Sequence, residues 1–412
     1  MQKVGRAKIP YGDVIGGALT VATCLLLLWD PEDAIAGGLQ GLRIFGEIVL
    51  PSLLPFFVVS EVLIGLGMVH FLGALVEPLM RPLFNVPGTG SFVWSMGLAA
   101  GYPMDAVITT KLRSAGDCTR IEGERLLAFT NTADPLFLLG AVAVGMFGLP
   151  ELGFHLATAH YASALLVGLI FRFYGRRDKE LVARPRLGRG RVAGRVGGTV
   201  QAKVGYWRGA MLELQRARRQ DGRALGRLLA DAMSESTITL LKICGFIMFA
   251  ASLIKLMDTT NVMGIVGMPI NGLLSLVGWD HSLSPGAVAG LMELDVGTAM
   301  AADAAAPLLQ RLAMVSAIIA WSGLSVHGQV ASIVCTTDLR MGVYIKARLL
   351  HSVLAALITV ALFYLRPPAL ATLAVPFTVL AFSPYFRLLL AGGVMGLCIV
   401  GGGVCHLVQK RR

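Results

Sequence analysis

Charge is what this 412-residue chain has least of. Only 15% of its residues are Asp, Glu, Lys or Arg, while 55% are hydrophobic. Soluble domains carry about 25% charged residues, so the deficit excludes an ordinary soluble globule and leaves a polytopic membrane protein. Metal-site spacing is missing too. The six cysteines (Cys24, Cys118, Cys244, Cys335, Cys398 and Cys405) form no CxxC or CxxH, which excludes a zinc site or disulfide framework of the usual kind. No Walker loop, HExxH or GxSxG occurs. Catalytic residues, cofactors and metals are therefore not expected. The one enzymatic alternative, an intramembrane hydrolase, would need Asp105 and Asp295 facing each other closely enough to perturb one another.

What charge there is lies unevenly. The net charge is +11, and Arg172 to Arg223 holds fifteen Lys or Arg against four acids. Lys3, Arg6 and Lys8 flank one end, and Lys410, Arg411 and Arg412 the other. Basic segments beside spans mark the cytoplasmic side and can hold anionic lipid. The expected partners are thus a lipid bilayer and a small-molecule substrate, not nucleic acid.

The apolar runs predict an all-α architecture with this order. Residues 1–40 form an N-terminal anchor around the run Val14–Trp29, read as an uncleaved span despite the cleavage-like Ala34-Ile-Ala36. Residues 41–175 form a first repeat. Gly41–Met68 spans, kinked or split by Pro51 and Pro55, and Phe71–Asn85 lies along the interface. Ser91–Ala115 is a helical hairpin broken at Gly101-Tyr102-Pro103, Thr119–Gly148 is an interrupted span, and Glu151–Tyr174 an unbroken one. Residues 176–230 read as a basic loop. In 231–366 the order recurs: Glu235–Met257, Val262–Val277, Pro285–Asp303, Pro307–Thr336 and Val343–Leu365. Residues 367–412 hold a last apolar run, Phe386–Leu407, and the basic tail.

Shifting the chain by 189 lays Gly97–Gly101 on Gly286–Gly290, although few identities accompany it. Three crossings and one re-entrant hairpin per half make the second half inverted relative to the first. With the outer two, about eight transmembrane helices result, and all three basic parts fall on one side.

Two interruptions carry the functional expectation. Phe129-Thr-Asn-Thr-Ala-Asp-Pro135 and Trp321-Ser-Gly-Leu-Ser-Val-His-Gly-Gln329 cut polar groups into apolar spans. Unwound backbone at membrane depth survives only where protein or a wet cavity satisfies it, and such breaks in matching halves point to a transport site. Thr130, Asn131, Ser322, Gly323, Ser325, His327 and Gln329 are the candidate substrate contacts there. The hairpin tips add Gly101, Tyr102, Pro103 and Glu293, since a helix start presents free N–H groups to an anion. Asp105, Asp134 and Asp295 are candidates for ion or proton coupling, or for pairing with Lys111, Arg113, Arg125 or Arg311. Asp303 reads as a helix-end residue, and His155, His160 and His351 as core.

Several ordered motifs resemble a known family. Pro51-Ser-Leu-Leu-Pro-Phe-Phe57, Glu77-Pro-Leu-Met-Arg-Pro-Leu83, Gly101-Tyr-Pro-Met104, Glu124-Arg-Leu126, Phe129-Thr-Asn131 and Trp321-Ser-Gly-Leu-Ser-Val-His327 look like those of the YlbJ sporulation integral membrane proteins, over roughly residues 40 to 365. The resemblance implies a nucleoside-recognition or gate domain, similar to the gate region of concentrative nucleoside transporters. It further implies a role in endospore and cortex formation, and movement of dipicolinate across the outer forespore membrane. Asp105 and Asp134 stand where the family pattern has small or amide residues. That added negative charge calls for cations or protons beside a dicarboxylate. A non-catalytic scaffold for the spore envelope is the competing function.

Overall fold

The computed structural model describes residues 11–176 and 206–368. The basic leader, most of the central basic segment and Phe386–Leu407 with its tail lie outside the described residues. Every regular element described is helical. Five stretches are long and apolar enough to cross a membrane: Pro31–Gly65, Leu152–Phe171, Leu225–Thr259, Leu308–Val334 and Met341–Leu365.

Helix α1 (Tyr11–Trp29) ends one residue before the next helix begins. That next stretch starts ten residues earlier than the apolar pattern predicts. Asp30 accepts the Asp33 N–H (3.0 Å) and Pro31 occupies the first helical position, two features that fix a helix start. Helix α2 (Pro31–Ile44) runs through a π-helical turn, Phe45–Val49, into α3 (Leu50–Gly65). Pro51 and Pro55 therefore do not split the span. The widened turn precedes Pro51, and Ser52 returns its hydroxyl to the Ile48 and Val49 carbonyls (2.5 and 3.1 Å), so the backbone continues.

Helix α4 (Met68–Leu79), extended by the π-helical turn Met80–Phe84, precedes the first hairpin. Its arms are α5 (Gly90–Ala100) and α6 (Met104–Ser114). Eleven residues rise about 16 Å, half of a ~30 Å hydrocarbon core, so neither arm can cross alone. Helix α7 (Arg120–Thr130) opens on a reciprocal cap: Thr119 Oγ1 accepts the Glu122 N–H, and Glu122 accepts the Thr119 N–H. It stops at Thr130, and a π-helical segment, Phe137–Met146, resumes the direction. Helix α8 (Leu152–Phe171) follows.

The end of the expected basic loop is not a loop. Residues Tyr206–Asp221 form α9, which packs on α4, and α10 (Leu225–Thr259) starts at once after it. Helices α2 and α10 lie together through small residues. A Cβ on Gly37 would stand 2.7 Å from the Ala251 carbonyl oxygen, and one on Gly41 would stand 2.9 Å from the Ala251 Cβ. Close backbone approach of this kind is how helices associate where apolar surroundings give no hydrophobic drive.

Helix α11 (Val262–Leu276) leads to the second hairpin, α12 (Ser284–Met292) and α13 (Leu294–Asp303). The last elements are α14 (Leu308–Trp321), α15 (Gly323–Val334) and α16 (Met341–Leu365). The second break is narrower than the nine residues predicted. Only Ser322 (φ 70°) and Gly323 (φ 72°) leave the helical region, and the chain is helical again by Ser325. Phe45, Val49, Leu138, Ile247, Val288 and Ile318 share one buried core. Phe249, Leu241, Leu349 and Leu357 point outward and exposed, as spans facing lipid require.

Candidate functional site

The two hairpin tips and the two breaks converge. At the first tip Gly101 turns with φ 62°, a conformation that side chains disfavour, and Pro103 precedes α6. Asp105 sits in the first turn of α6, fully buried. It accepts from Asn131 Nδ2 (2.8 Å) and Thr130 Oγ1 (3.3 Å), so the tip is tied to the end of α7. Small size is needed here as well: a Cβ on Gly97 would lie 2.5 Å from the Thr130 carbonyl oxygen.

The unwound segment after α7 satisfies its backbone with side chains from two other helices. Arg348 on α16 donates to the Ala128 carbonyl (2.6 Å) and to the Asn131 carbonyl. Tyr344 donates to Asn131 Oδ1 (2.9 Å). From α8, His160 Nε2 accepts the Ala133 N–H (3.0 Å) and Tyr161 donates to the Ala133 carbonyl (2.9 Å). His351 stands between Arg348 and the His160 carbonyl (3.1 and 3.0 Å). A cation at the C-terminal end of α7 also complements its dipole. Asp134 then accepts the Leu136 and Phe137 N–H groups (3.0 and 2.8 Å), capping the helix that follows.

The second tip rests on the second break. Glu293 caps α13 by accepting the Val296 N–H (2.8 Å), and Asp295 lines the same cleft as Glu293. Trp321 Nε1 donates to the Leu291 carbonyl (3.2 Å). Gly323 lies against Met292 and Leu294, where a Cβ would have 3.1 Å to each. Tyr102 crosses from the first tip to donate to the Ile319 carbonyl (2.9 Å).

Between these elements lies a cleft of about 100 Å³. One water needs on the order of 10–15 Å³ on that scale, so several fit. Tyr102, Asp134, Glu293, Asp295, Ser325 and Gln329 line it together with Leu53, Phe57, Phe137 and Phe246. Among the described residues no basic side chain lines it.

The remaining predicted residues stand behind this surface. Thr130 and Asn131 hold Asp105. Ser322 folds its hydroxyl onto its neighbour's carbonyl (2.5 Å). His327 binds the Gly323 carbonyl through Nδ1 (2.7 Å) and stacks near Trp321 and Tyr344 (4.3 and 5.1 Å between ring centres). Of the two helix starts expected to greet an anion, that of α13 is occupied by Glu293, whereas at α6 the Met104 and Ala106 N–H groups bind the Gly101 and Pro103 carbonyls and Asp134 caps the segment after the first break.

The ion pairs considered for the acids do not form. Arg113 binds Asp338 through two contacts of 2.8 Å, and Arg125 binds the Asn85 and Tyr174 carbonyls. Arg311 binds the Ala302 carbonyl (2.7 Å), and Lys111 is exposed. Asp303 does end a helix, exposed. Asp105 and Asp295 sit at different tips, and Asp105 is bound by Asn131 and Thr130, which gives no support to a facing aspartyl pair.

Sequence reasoning missed Arg348, Tyr344 and Tyr161, and read His160 and His351 only as core. The available signal was Arg348 itself, a charge inside the apolar run Met341–Leu365.

The Gate family, described as nucleoside recognition, matches residues 47–174, from the π-helical turn before α3 through the first tip and break to the end of α8. The sporulation integral membrane protein YlbJ of Bacillus subtilis (strain 168) is 39% identical over 326 residues, 79% of this chain and 76% of that protein. No solved structure matches. At 39% identity over 79% of its length, the chain belongs to the YlbJ family of sporulation integral membrane proteins.

Proposed function

We propose that this chain is a secondary transporter or facilitator, not an enzyme, that moves a small polar or anionic metabolite during endospore formation. The observation that carries the reading is the convergence of two half-length hairpins and two helix breaks on one polar-lined cleft inside an apolar bundle. The arrangement is read as two inverted repeats, each with three crossings and one re-entrant hairpin. With the outer spans this makes eight crossings, and puts both termini and the basic segment in the cytoplasm.

The relative's sporulation role and the Gate match favour dipicolinate as cargo, crossing the outer forespore membrane. Because Asp134 and Glu293 already engage the helix starts, the donors left for a carboxylate are Ser325 and Gln329. Neither side chain has a hydrogen-bond partner among the described residues. Planar aromatic cargo fits against Phe57, Phe137 and Phe246.

Purified protein in sealed liposomes should give saturable dipicolinate flux that drops on Ser325→Ala or Gln329→Ala, and on Asn131→Ala through loss of the Asp105 tether. Undiminished flux in a folded Ser325→Ala/Gln329→Ala double variant removes this cleft as the pathway.

A further inference from the structure

Four acids are buried around the tips, yet they are not chemically equivalent. Asp105 receives donors from Asn131 and Thr130, Asp134 from two backbone N–H groups, and Glu293 from the Val296 N–H. Asp295 is 7% exposed and lines the cleft. No side chain or backbone N–H among the described residues donates to its carboxyl group, and Glu293, two positions before it, lines the same cleft. A buried carboxylate without a donor is costly to keep ionised, whereas the Val296 N–H stabilises Glu293 as an anion. Of the two acids, Asp295 is therefore the one that takes up a proton more readily.

The surroundings offer no other compensation. Asp134, from the first break, and Tyr102, from the first tip, line the same cleft as the pair, and Tyr161 from α8 is bonded to the Ala133 carbonyl next to Asp134. On α14 and α15, Arg311 is held by the Ala302 carbonyl and His327 is turned into Trp321 and Tyr344. Asp33 on α2 and Lys255 on α10 pair with each other at 4.0 Å, and α11 carries no charge. Arg348 is engaged by the first break and by His351. A cleft that already holds Asp134 and Glu293 as caps repels an anion further if Asp295 ionises.

We propose that Asp295 is the proton-carrying group of the cleft, and that a small carboxylate cargo enters only with this proton in place. The proposal rests on the transport reading above and deepens it. The proton comes from water on the loading side and bonds to an Asp295 carboxylate oxygen. It crosses with the cargo and returns to water on the far side once the cargo has left and the site re-solvates. Each turnover thereby moves one proton with one cargo molecule and cancels one negative charge.

Asp295→Asn separates the possibilities, because its amide is as neutral as the protonated acid but has no proton to release. Dipicolinate is the probe, in liposomes with an imposed pH gradient. Wild-type uptake should be driven by acid on the loading side, collapse with a protonophore, and fall toward about tenfold per pH unit on the alkaline limb, the limit for one proton. Asp295→Asn should keep exchange of external for internal dipicolinate, lose gradient-driven accumulation, and vary less than about twofold between pH 6 and 8. Glu293→Gln, whose amide oxygen still caps α13 while the neighbouring negative charge is gone, makes an ionised Asp295 less costly and should shift uptake to lower pH. Saturable wild-type flux indifferent to the gradient sinks this proposal and leaves the transport reading intact. Accumulation by Asp295→Asn equal to wild type sinks it as well, whereas no wild-type flux at all sinks both.

Discussion

Arg348 is a fully buried cation without a carboxylate in contact, and replacing it with Met keeps most of its volume. Two carbonyls of the first break then lose their donors. Hydrogen bonds to charged groups are worth about 1.5–3 kcal/mol each, so the gross loss is roughly 3–6 kcal/mol. Removing a buried charge returns part of that. Against the return stands Asp105, whose charge Arg348 offsets at a distance across Asn131 and which then keeps only its Asn131 and Thr130 donors. A net loss of about 3–5 kcal/mol follows, and at about 2 °C per kcal/mol for long chains the melting midpoint should fall by about 6–10 °C. Thermal unfolding of the purified protein in one fixed detergent reads this directly. Arg348→Lys, with a compact ammonium in place of the fork, should lose about half as much. Arg348→Met combined with Asp105→Asn should lose less than the sum of the two, by about 0.5–3 kcal/mol of coupling. A midpoint within about 2 °C of wild type for Arg348→Met would refute the claim that this side chain holds the break open. Strict additivity in the double variant would refute the charge compensation across Asn131.

Two further outcomes test the frame. In the second hairpin a Cβ on Gly297 would lie 2.2 Å from both Cα and N of Gly290, whereas the nearest atoms to one on Gly290 belong to the Ile318 side chain, at 2.7 Å. Gly297→Ala should therefore cost at least the upper end of the ~1–3 kcal/mol range for overpacking, and Gly290→Ala the lower end; equal melting points for the two would contradict that contact. Arg113 holds the Asp338 carboxyl below its ordinary value of 3.8 by hydrogen bonding. A depressed pKa means the stabilisation is complete above about pH 4 and disappears as the pH falls through the lowered value. The pair is half-exposed, so screening limits it to no more than about 1 kcal/mol. Asp338→Asn should lower the melting point slightly at pH 7 and not at all well below pH 3, and the same deficit at both would exclude the pair as its cause.

The interruptions were legible because their causes are local. Gly101-Tyr-Pro103 interrupts the first hairpin and Asp134-Pro135 opens the helix after the first break by rules that act within a turn, and a predicted interruption occurs at each. The second break was drawn too wide because Ser325, His327 and Gln329 are polar, although polarity alone does not stop a helix. Ser322 and Gly323 suffice by turning left-handed. Asp30-Pro31 was read as a polar gap and is a helix start. Tyr206–Asp221 was absorbed into the basic loop since its arginines outweigh the apolar stripe of Ala210, Leu214 and Ala217 that faces α4. What sequence could not show was the partner of each break. Arg348 meets carbonyls 217 and 220 positions away, and no periodicity encodes a contact of that span.

The same distance effect explains why counting acids misleads. From the sequence, Asp105, Asp134, Glu293 and Asp295 are four carboxylates in apolar surroundings, each costly to bury and each a candidate. What separates them is the nearest donor. Three close a backbone or amide gap that the broken helices themselves create, so their burial is the local consequence of breaking a helix where water is scarce. Asp134 and Glu293 do this at their own helix starts, and Asp105 does it through Asn131, whose carbonyl then falls to Arg348. Asp295 closes no such gap. It faces the cleft with a neighbour that can only accept, and the architecture of the breaks gives no structural reason for a carboxyl group at that position.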